Sequence, residues 1–238
     1  MMPRLQARLD VLPSAQRALW PTLREVKDLG WVLYGGTAIA LRLGHRTSVD
    51  FDFFNERPLE REHLHAACPA IGRSTVLQEQ PDTLTVLMPA DDAGRSTVKV
   101  SFFGGIDVGR VGAPARTSDD VLQIASAGDL LAHKLKVLLQ RVEAKDYLDV
   151  AALLDAGLDL AGGLASARAL FGPAFQPSES LKALVYFEGG DLHTLPAATR
   201  QTLIAAIRSV GALPDSRVIA RTLALRPDED TTHARVHS

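Results

Sequence analysis

Residues 34–54, YGGTAIALRLGHRTSVDFDFF, constrain the fold more than any other part of this 238-residue chain. An apolar run at 31–34 suits a short buried strand and leads straight into Gly35 and Gly36. Residues 37–43 fit a short helix ended by Gly44, and the alternation of Asp50 and Asp52 with Phe51 and Phe53 predicts a second strand. Alternate side chains of a strand share a face, so Asp50 and Asp52 point the same way, about 7 Å apart, while Val49, Phe51 and Phe53 face the other side. A helix opening at Gly36 or Thr37 aims free backbone N–H groups and the positive end of its dipole at one point, and glycine there lets a phosphate approach. Two carboxylates on one face suit hard divalent cations over a triphosphate. The stretch therefore reads as a phosphate seat followed by a metal seat. It is not a P-loop, because no lysine follows the glycines at the required spacing.

Each half has a plainer reading when taken alone. Glycine pairs make tight turns, and Asp-x-Asp on an amphipathic strand is commonly a solvated face. Arg46 and Ser48 join the halves, so the chain spells G-G-T and then R-x-S-x-D-x-D. That spelling resembles the nucleotidyltransferase superfamily that includes DNA polymerase beta, and within it the AbiEii/AbiGii toxin family of bacterial toxin–antitoxin and phage-defence systems. The resemblance implies an α+β chain. Residues 1–125 would form N-terminal helices and a polymerase beta-like palm, a mixed sheet with flanking helices. Residues 126–238 would form a C-terminal helical bundle that completes the active site. It further implies Asp50 and Asp52 as catalytic ligands of Mg2+ (or Mn2+), with Gly35, Gly36, Thr37, Arg46 and Ser48 around the nucleotide. Arg46 has two readings that stand level, a bidentate partner of phosphate or a brace for Asp50.

A second informative stretch is 128–154, GDLLAHKLKVLLQRVEAKDYLDVAALL. Lys134 and Arg141 lie seven apart and share a face if the helix is continuous. Asp146 and Asp149 lie three apart and are helix neighbours. The plain reading is a charged surface with a Lys145–Asp149 pair. The order K-x6-R-x3-K-D-x2-D is nevertheless similar to the helical motif of the AbiEii family, in which a Lys and an Asp complete the active site. On that resemblance Lys134 contacts the triphosphate, Asp146 orients Lys134 or the acceptor group, and Arg141 belongs to the nucleotide-binding set. Lys145 stands where the family often has Arg, which keeps the charge but loses the planar fork.

Composition sets bounds on partners. The hydrophobic content of 46% supports one large core or two modest ones. A formal net charge of -2 gives no bulk footprint for nucleic acid, so an RNA substrate would need a local basic patch. Cys68 is the only cysteine, which excludes an intrachain disulfide and a cysteine-rich zinc module. No stretch approaches the ~20 apolar residues of a membrane span, and the first residues lack a signal-peptide core. No membrane partner is expected and the chain reads as cytoplasmic.

The remaining elements follow from periodicity and punctuation. Residues 3–29 read as helix, broken or restarted at Pro21, with Gly30 as the stop. A helix is expected over 58–71, a hairpin from 74–78 and 83–88, and a strand over 97–103. Residues 111–120 read as an exposed connector, and 121–125 as a short strand. Ser126 caps a helix over 127–140. Further helices are expected over 160–171, 178–188, 196–210 and 215–225, with Ser178 as an N-cap and Leu181, Leu184, Val185, Ile204, Ile207 and Val210 in the core. His63 and His65, two apart, do not share a helix face and are not read as metal ligands.

One departure from the superfamily pattern stands out. A third carboxylate commonly sits on a strand beside the Asp pair and helps activate the attacking hydroxyl, whereas the matching face of 97–103 offers Lys99 and Ser101. Asp107, Asp91 or Asp92 could substitute from a loop. The expected function is a metal-dependent nucleotidyltransferase that moves a nucleoside monophosphate from an NTP to an RNA acceptor such as a tRNA, as a toxin restrained by a cognate antitoxin. The alternatives are an enzyme that nucleotidylates a small molecule such as an antibiotic, or a palm that binds nucleotide or a partner without catalysis.

Overall fold

The computed structural model describes residues 3–91 and 94–225, so Asp92 and the polar tail from 227, expected to fray, lie outside the described residues. It divides the chain into two units. The first comprises Met1–Gly109, Ala113–Ala125 and Arg221–Ser238, and the second Arg110–Gly112 and Ser126–Ala220. Against the expected division of 1–125 from 126–238, the short segment at Arg110 groups with the second unit and the chain from Arg221 groups with the first.

The first unit is built on a sheet. In chain order it contains β1 (Arg4–Leu5), α1 (Ser14–Leu19), α2 (Arg24–Asp28), β2 (Val32–Tyr34), α3 (Gly35–Leu43), β3 (Asp50–Phe54), α4 (Arg61–Ala67), α5 (Pro69–Gly72), β4 (Thr75–Gln80), β5 (Thr83–Pro89), β6 (Thr97–Phe103), β7 (Ala115–Thr117) and β8 (Gln123–Ile124). The strands run β1-β7-β8-β2-β3-β6-β5-β4. β3 is antiparallel to β2 and parallel to β6, so the sheet is mixed at its centre.

That centre is where the alternation of the sequence is realised. Phe51 and Phe53 are fully buried while Asp50 and Asp52 keep partial exposure. Phe53 stacks on Phe102 of β6 at 5.4 Å between ring centroids, and Trp31 meets Phe102 edge-on at 5.2 Å. Each fully buried aromatic stabilises the fold by about 1.5–3 kcal/mol. Burying the aromatic face locks the register, because a one-residue slip would turn both carboxylates into the core.

Several expectations are corrected here. Residues 3–29, expected as helix broken or restarted at Pro21, contain strand β1, two short 3-10 turns and the helices α1 and α2, and the break falls at Pro21 in the turn Trp20–Leu23. Residues 115–117, expected in an exposed connector, form β7, paired with β1 and β8, with Ala115 and Thr117 buried. The helix expected over 58–71 is split into α4 and α5, because Pro69 starts a new turn.

The second unit is helical: α6 (Ala127–Val137), α7 (Ala144–Asp155), α8 (Leu160–Phe171), α9 (Pro177–Val185) and α10 (Ala197–Arg208). Ser126 caps α6 by accepting from the Asp129 backbone N–H at 3.0 Å, as expected, and donates back to the Asp129 carboxylate at 2.5 Å. The backbone N–H groups of Val111 and Gly112 also donate to that carboxylate, at 2.7 and 3.1 Å. Gly163 of α8 admits Leu131 of α6 into the space a Cβ would occupy, which lets the two helices approach closely. α9 begins at Pro177 with no side-chain cap, so Ser178 is not its N-cap. Of the six apolar residues expected in the core, Leu184 is fully buried, Val185 is exposed, and the other four are half-buried. Residues 215–225 form no helix; Ala220 instead bridges to Arg110. Among the described residues no single helix is long and apolar enough to cross a membrane.

Candidate active site

In the first unit the turn from β2 into α3 and the start of β3 come together. Gly35 has φ +71, a conformation that L side chains rarely adopt, and a Cβ there would lie 2.5 Å from the Asp52 carboxylate. A Cβ on Gly36 would run into the Arg46 guanidinium and would stand 3.2 Å from Ser48 Oγ. The glycine pair is thus required by close approach as well as by backbone conformation. It holds Asp52, Arg46 and Ser48 against the first turn of α3. That helix is nine residues long, and Tyr34 at its N-cap gives no side-chain hydrogen bond to the opening N–H groups. The hydroxyl of Thr37, expected at a phosphate, donates instead to the Asp50 carbonyl, and the residue is buried, so it ties the helix to β3. Arg46 donates to the Thr47 carbonyl at 2.9 Å.

The carboxylates face outward as the alternation requires. Asp50 pairs across the ladder with Lys99 and Asp52 with Ser101. The Lys99 ammonium reaches Asp50 Oδ2 at 2.9 Å. Ser101 is buried and its hydroxyl accepts from Thr85 Oγ1 at 3.3 Å. The third-acid position therefore carries a cation and a neutral, satisfied hydroxyl. Asp91 does not fill the gap, since its carboxylate caps its own turn through the backbone N–H groups of Arg95 and Ser96. Asp107 follows the far end of β6, away from the Lys99 end that pairs with Asp50. Among the described residues no three His, Cys, Asp or Glu side chains cluster as a metal site. Asp50 and Asp52 do offer hard oxygen donors on one partly exposed face, and the missing Cβ of Gly35 makes room for the Asp52 carboxylate itself. That donor chemistry fits Mg2+ or Mn2+ completed by phosphate oxygens.

The second unit holds a buried lysine–aspartate cluster gripped from outside by an exposed Arg141. α6 ends at Val137, so Lys134 and Arg141 do not share a continuous helix. They nevertheless converge on α7. Lys134 Nζ lies 2.6 Å from Asp146 Oδ1 and 2.6 Å from Asp149 Oδ2. Arg141 grips Asp146 with a two-point fork, Nε to Oδ2 at 2.8 Å and a terminal nitrogen to Oδ1 at 3.1 Å. Both carboxylates are fully buried and Lys134 nearly so. Burial pushes the Asp146 carboxyl up, but the hydrogen bonds and charges of Arg141 and Lys134 outweigh it and hold the carboxyl below its ordinary value. Asp191 accepts from the Ala144 backbone N–H at 2.6 Å and so caps the start of α7. Next to Lys134, His133 turns its ring edge-on to Phe171 at 5.1 Å between centroids. Its Nε2 is out of solvent although the residue is half-buried overall, and burial pushes its pKa down to about 4.

Two residues were not assigned a role in the sequence. Asp149 was paired with Lys145 on a wet surface, whereas Lys145 pairs with Glu143 at 2.7 Å and Asp149 is buried on Lys134. Its spacing of three from Asp146, with Val150 and Leu153 beside it in the core, was the available signal. Lys99 reads in the sequence as a cation where a third acid is common, and as part of a basic cleft with Arg46 and Arg141 that would favour RNA; no sequence pattern announces its pairing with Asp50.

The profile of the nucleotidyl transferase AbiEii toxin family, type IV toxin–antitoxin system, matches residues 17–221. An uncharacterized protein of Aquifex aeolicus (strain VF5) is 31% identical over 134 residues, which covers 54% of this chain and 61% of the relative. The match thus spans less than two thirds of that protein's length. Among solved structures, MenT4, a nucleotidyltransferase toxin from Mycobacterium tuberculosis H37Rv, superposes with a TM-score of 0.53 at 16% identity over 83% of each chain, a likeness of fold.

Proposed function

We propose, because this chain belongs to the AbiEii nucleotidyl transferase toxin family of type IV toxin–antitoxin systems, that it transfers a nucleoside monophosphate from an NTP to an acceptor and releases pyrophosphate. The observation that carries the reading is the glycine pair at the start of α3, packed directly against Asp52, Arg46 and Ser48. Gly35 and Gly36, lacking a Cβ, let the Asp52 carboxylate and the Arg46 guanidinium close on the start of α3, beside the backbone N–H groups that receive the triphosphate. Asp50 and Asp52 hold Mg2+ or Mn2+, which when bound neutralises phosphate charge and polarises the reacting phosphorus. Thr37 fixes the helix to the strand that bears them. Lys134 offsets charge developing on the transferred nucleotide, and Asp146 with Asp149 sets the direction of its ammonium. Positioning and fixed charge supply most of the rate in chemistry of this kind.

Membership of a toxin–antitoxin family supports a cognate antitoxin, and the proposal takes an RNA such as a tRNA as acceptor: the RNA is modified, and growth stops unless the antitoxin is present. A second reading, a palm that binds nucleotide without transfer, draws support from Lys99 and Ser101 in place of the third acid. Transfer of label from each of the four α-labelled NTPs to total bacterial RNA, with Mg2+ or Mn2+, separates them. Labelled RNA from wild type and none from Asp50→Ala is the expected result. Nucleotide binding without transfer to RNA or release of pyrophosphate would establish the second reading instead.

A further inference from the structure

The Asp pair has a cation of its own. Lys99 stands directly across the β3–β6 ladder from Asp50, and its ammonium occupies Asp50 Oδ2 at 2.9 Å. The next position on that face, opposite Asp52, is Ser101, whose hydroxyl is turned to Thr85 and buried. An ammonium has three donors and no lone pair, so it ligates no metal and repels any cation that approaches the oxygen it holds. A third acid at either position would add ligands and negative charge for a second ion; this face adds neither.

Resting on the nucleotidyltransferase reading of the Asp50–Asp52 pair, we propose that Lys99 acts as a built-in monovalent cation that limits this pair to a single divalent ion. Asp52 and the second oxygen of Asp50 are the protein ligands of that ion. The lysine takes the position of the second one, holding Asp50 in place and lowering the charge left for metal binding. Its side chain is 41% exposed, so substitution there changes the charge of the face without opening the core.

Counting bound Mn2+ on the full chain from the paramagnetic resonance of the free ion tests this without any activity assay. Asp52→Ala, alone and combined with each Lys99 variant, serves as the blank, so that only ions depending on the pair are counted. Wild type is expected to hold one such ion. Lys99→Met is expected to hold one about tenfold more tightly, because removing a charge a few ångströms from the ion relieves its repulsion, moderated by solvent. Lys99→Glu is expected to gain a second. Two Asp52-dependent ions in wild type, an unchanged affinity in Lys99→Met, or a single ion in Lys99→Glu would each overturn the role given to Lys99 while leaving the pair as a metal seat. No Asp52-dependent Mn2+ in any variant would overturn the metal seat itself and this role with it.

Discussion

Asp50, Asp52 and Lys99 in the first unit and Asp146, Asp149 and Lys134 in the second are each two aspartates and a lysine, the aspartates spaced for a strand in one unit and for a helix in the other. In the strand cluster the lysine and Asp50 side chains are 41% and 33% exposed. In the helix cluster Lys134 and Asp146 are 7% and 0% exposed. Burial decides what each can do. An open ion pair is screened and contributes about 0–1 kcal/mol, so a divalent cation or a phosphate can compete for its members. A sealed group of charges has no such freedom, and removing one member leaves its partner charged in a poor solvent, at a cost of about 3–5 kcal/mol. The open trio is suited to binding, and the sealed trio to holding one ammonium in one place.

The largest effect that would test this contrast is on transfer. Asp52→Asn keeps the shape of the side chain but removes a full ligand charge, and a fall of about 10²–10³-fold in rate is expected with the urea midpoint nearly unchanged. Lys134→Met reaches stability as well: it removes the buried ammonium that Asp146 and Asp149 share, and urea unfolding should show a loss of about 3–5 kcal/mol. If Lys134→Met and Lys99→Met destabilised equally, the distinction between sealed and open clusters would collapse. Next in size is a pH effect confined to the sealed side. The folded value of His133, about 4, lies below its ordinary 6.5. The unfolded chain therefore takes the proton first, and stability present above 6.5 is lost as pH falls toward 4. Between pH 7 and pH 5 the loss is on the order of 2 kcal/mol, and His133→Gln should abolish that slope in urea titrations. Asp146 has the same sign in a more acidic window, because its lowered folded value means that its contribution disappears only below the ordinary carboxylate range. The smallest effect is on the open lysine: Lys99→Met should change stability by no more than about 1 kcal/mol.

The open cluster was more legible in the sequence than the sealed one, for physical reasons. Strand alternation is strictly twofold, so Asp50 and Asp52 could be placed on one face, opposite Phe51 and Phe53, from spacing alone. Gly35 and Gly36 marked a turn because glycine tolerates the left-handed backbone and the approach of Asp52. In the sealed cluster, Arg141 lies past the end of α6, and only the return of the chain through α7 brings it to Asp146. Spacing along a helix could not reveal that meeting. Asp149 reads in the sequence as a solvated charge, and a buried salt bridge depends on a partner from another element. Strand β7 was missed because Arg116 and its small neighbours carry no apolar alternation; pairing with β1 and β8 supplies what the side chains do not. The stretch at 215–225 has helical periodicity, yet it is held by backbone hydrogen bonds to Arg110.

The proposed function assigns both Asp52 and Lys134 a part in transfer. The direct measurement is the single-turnover rate of pyrophosphate release with the active NTP and its acceptor, for Asp52→Asn, Lys134→Gln and the double variant, at a temperature where urea curves show all three folded. Groups that act as a unit lose nearly everything on the first removal, so the double variant should be little slower than the worse single. Lys134→Gln turning over at the wild-type rate, while Asp52→Asn is impaired, would contradict the account and leave the buried lysine a purely structural residue.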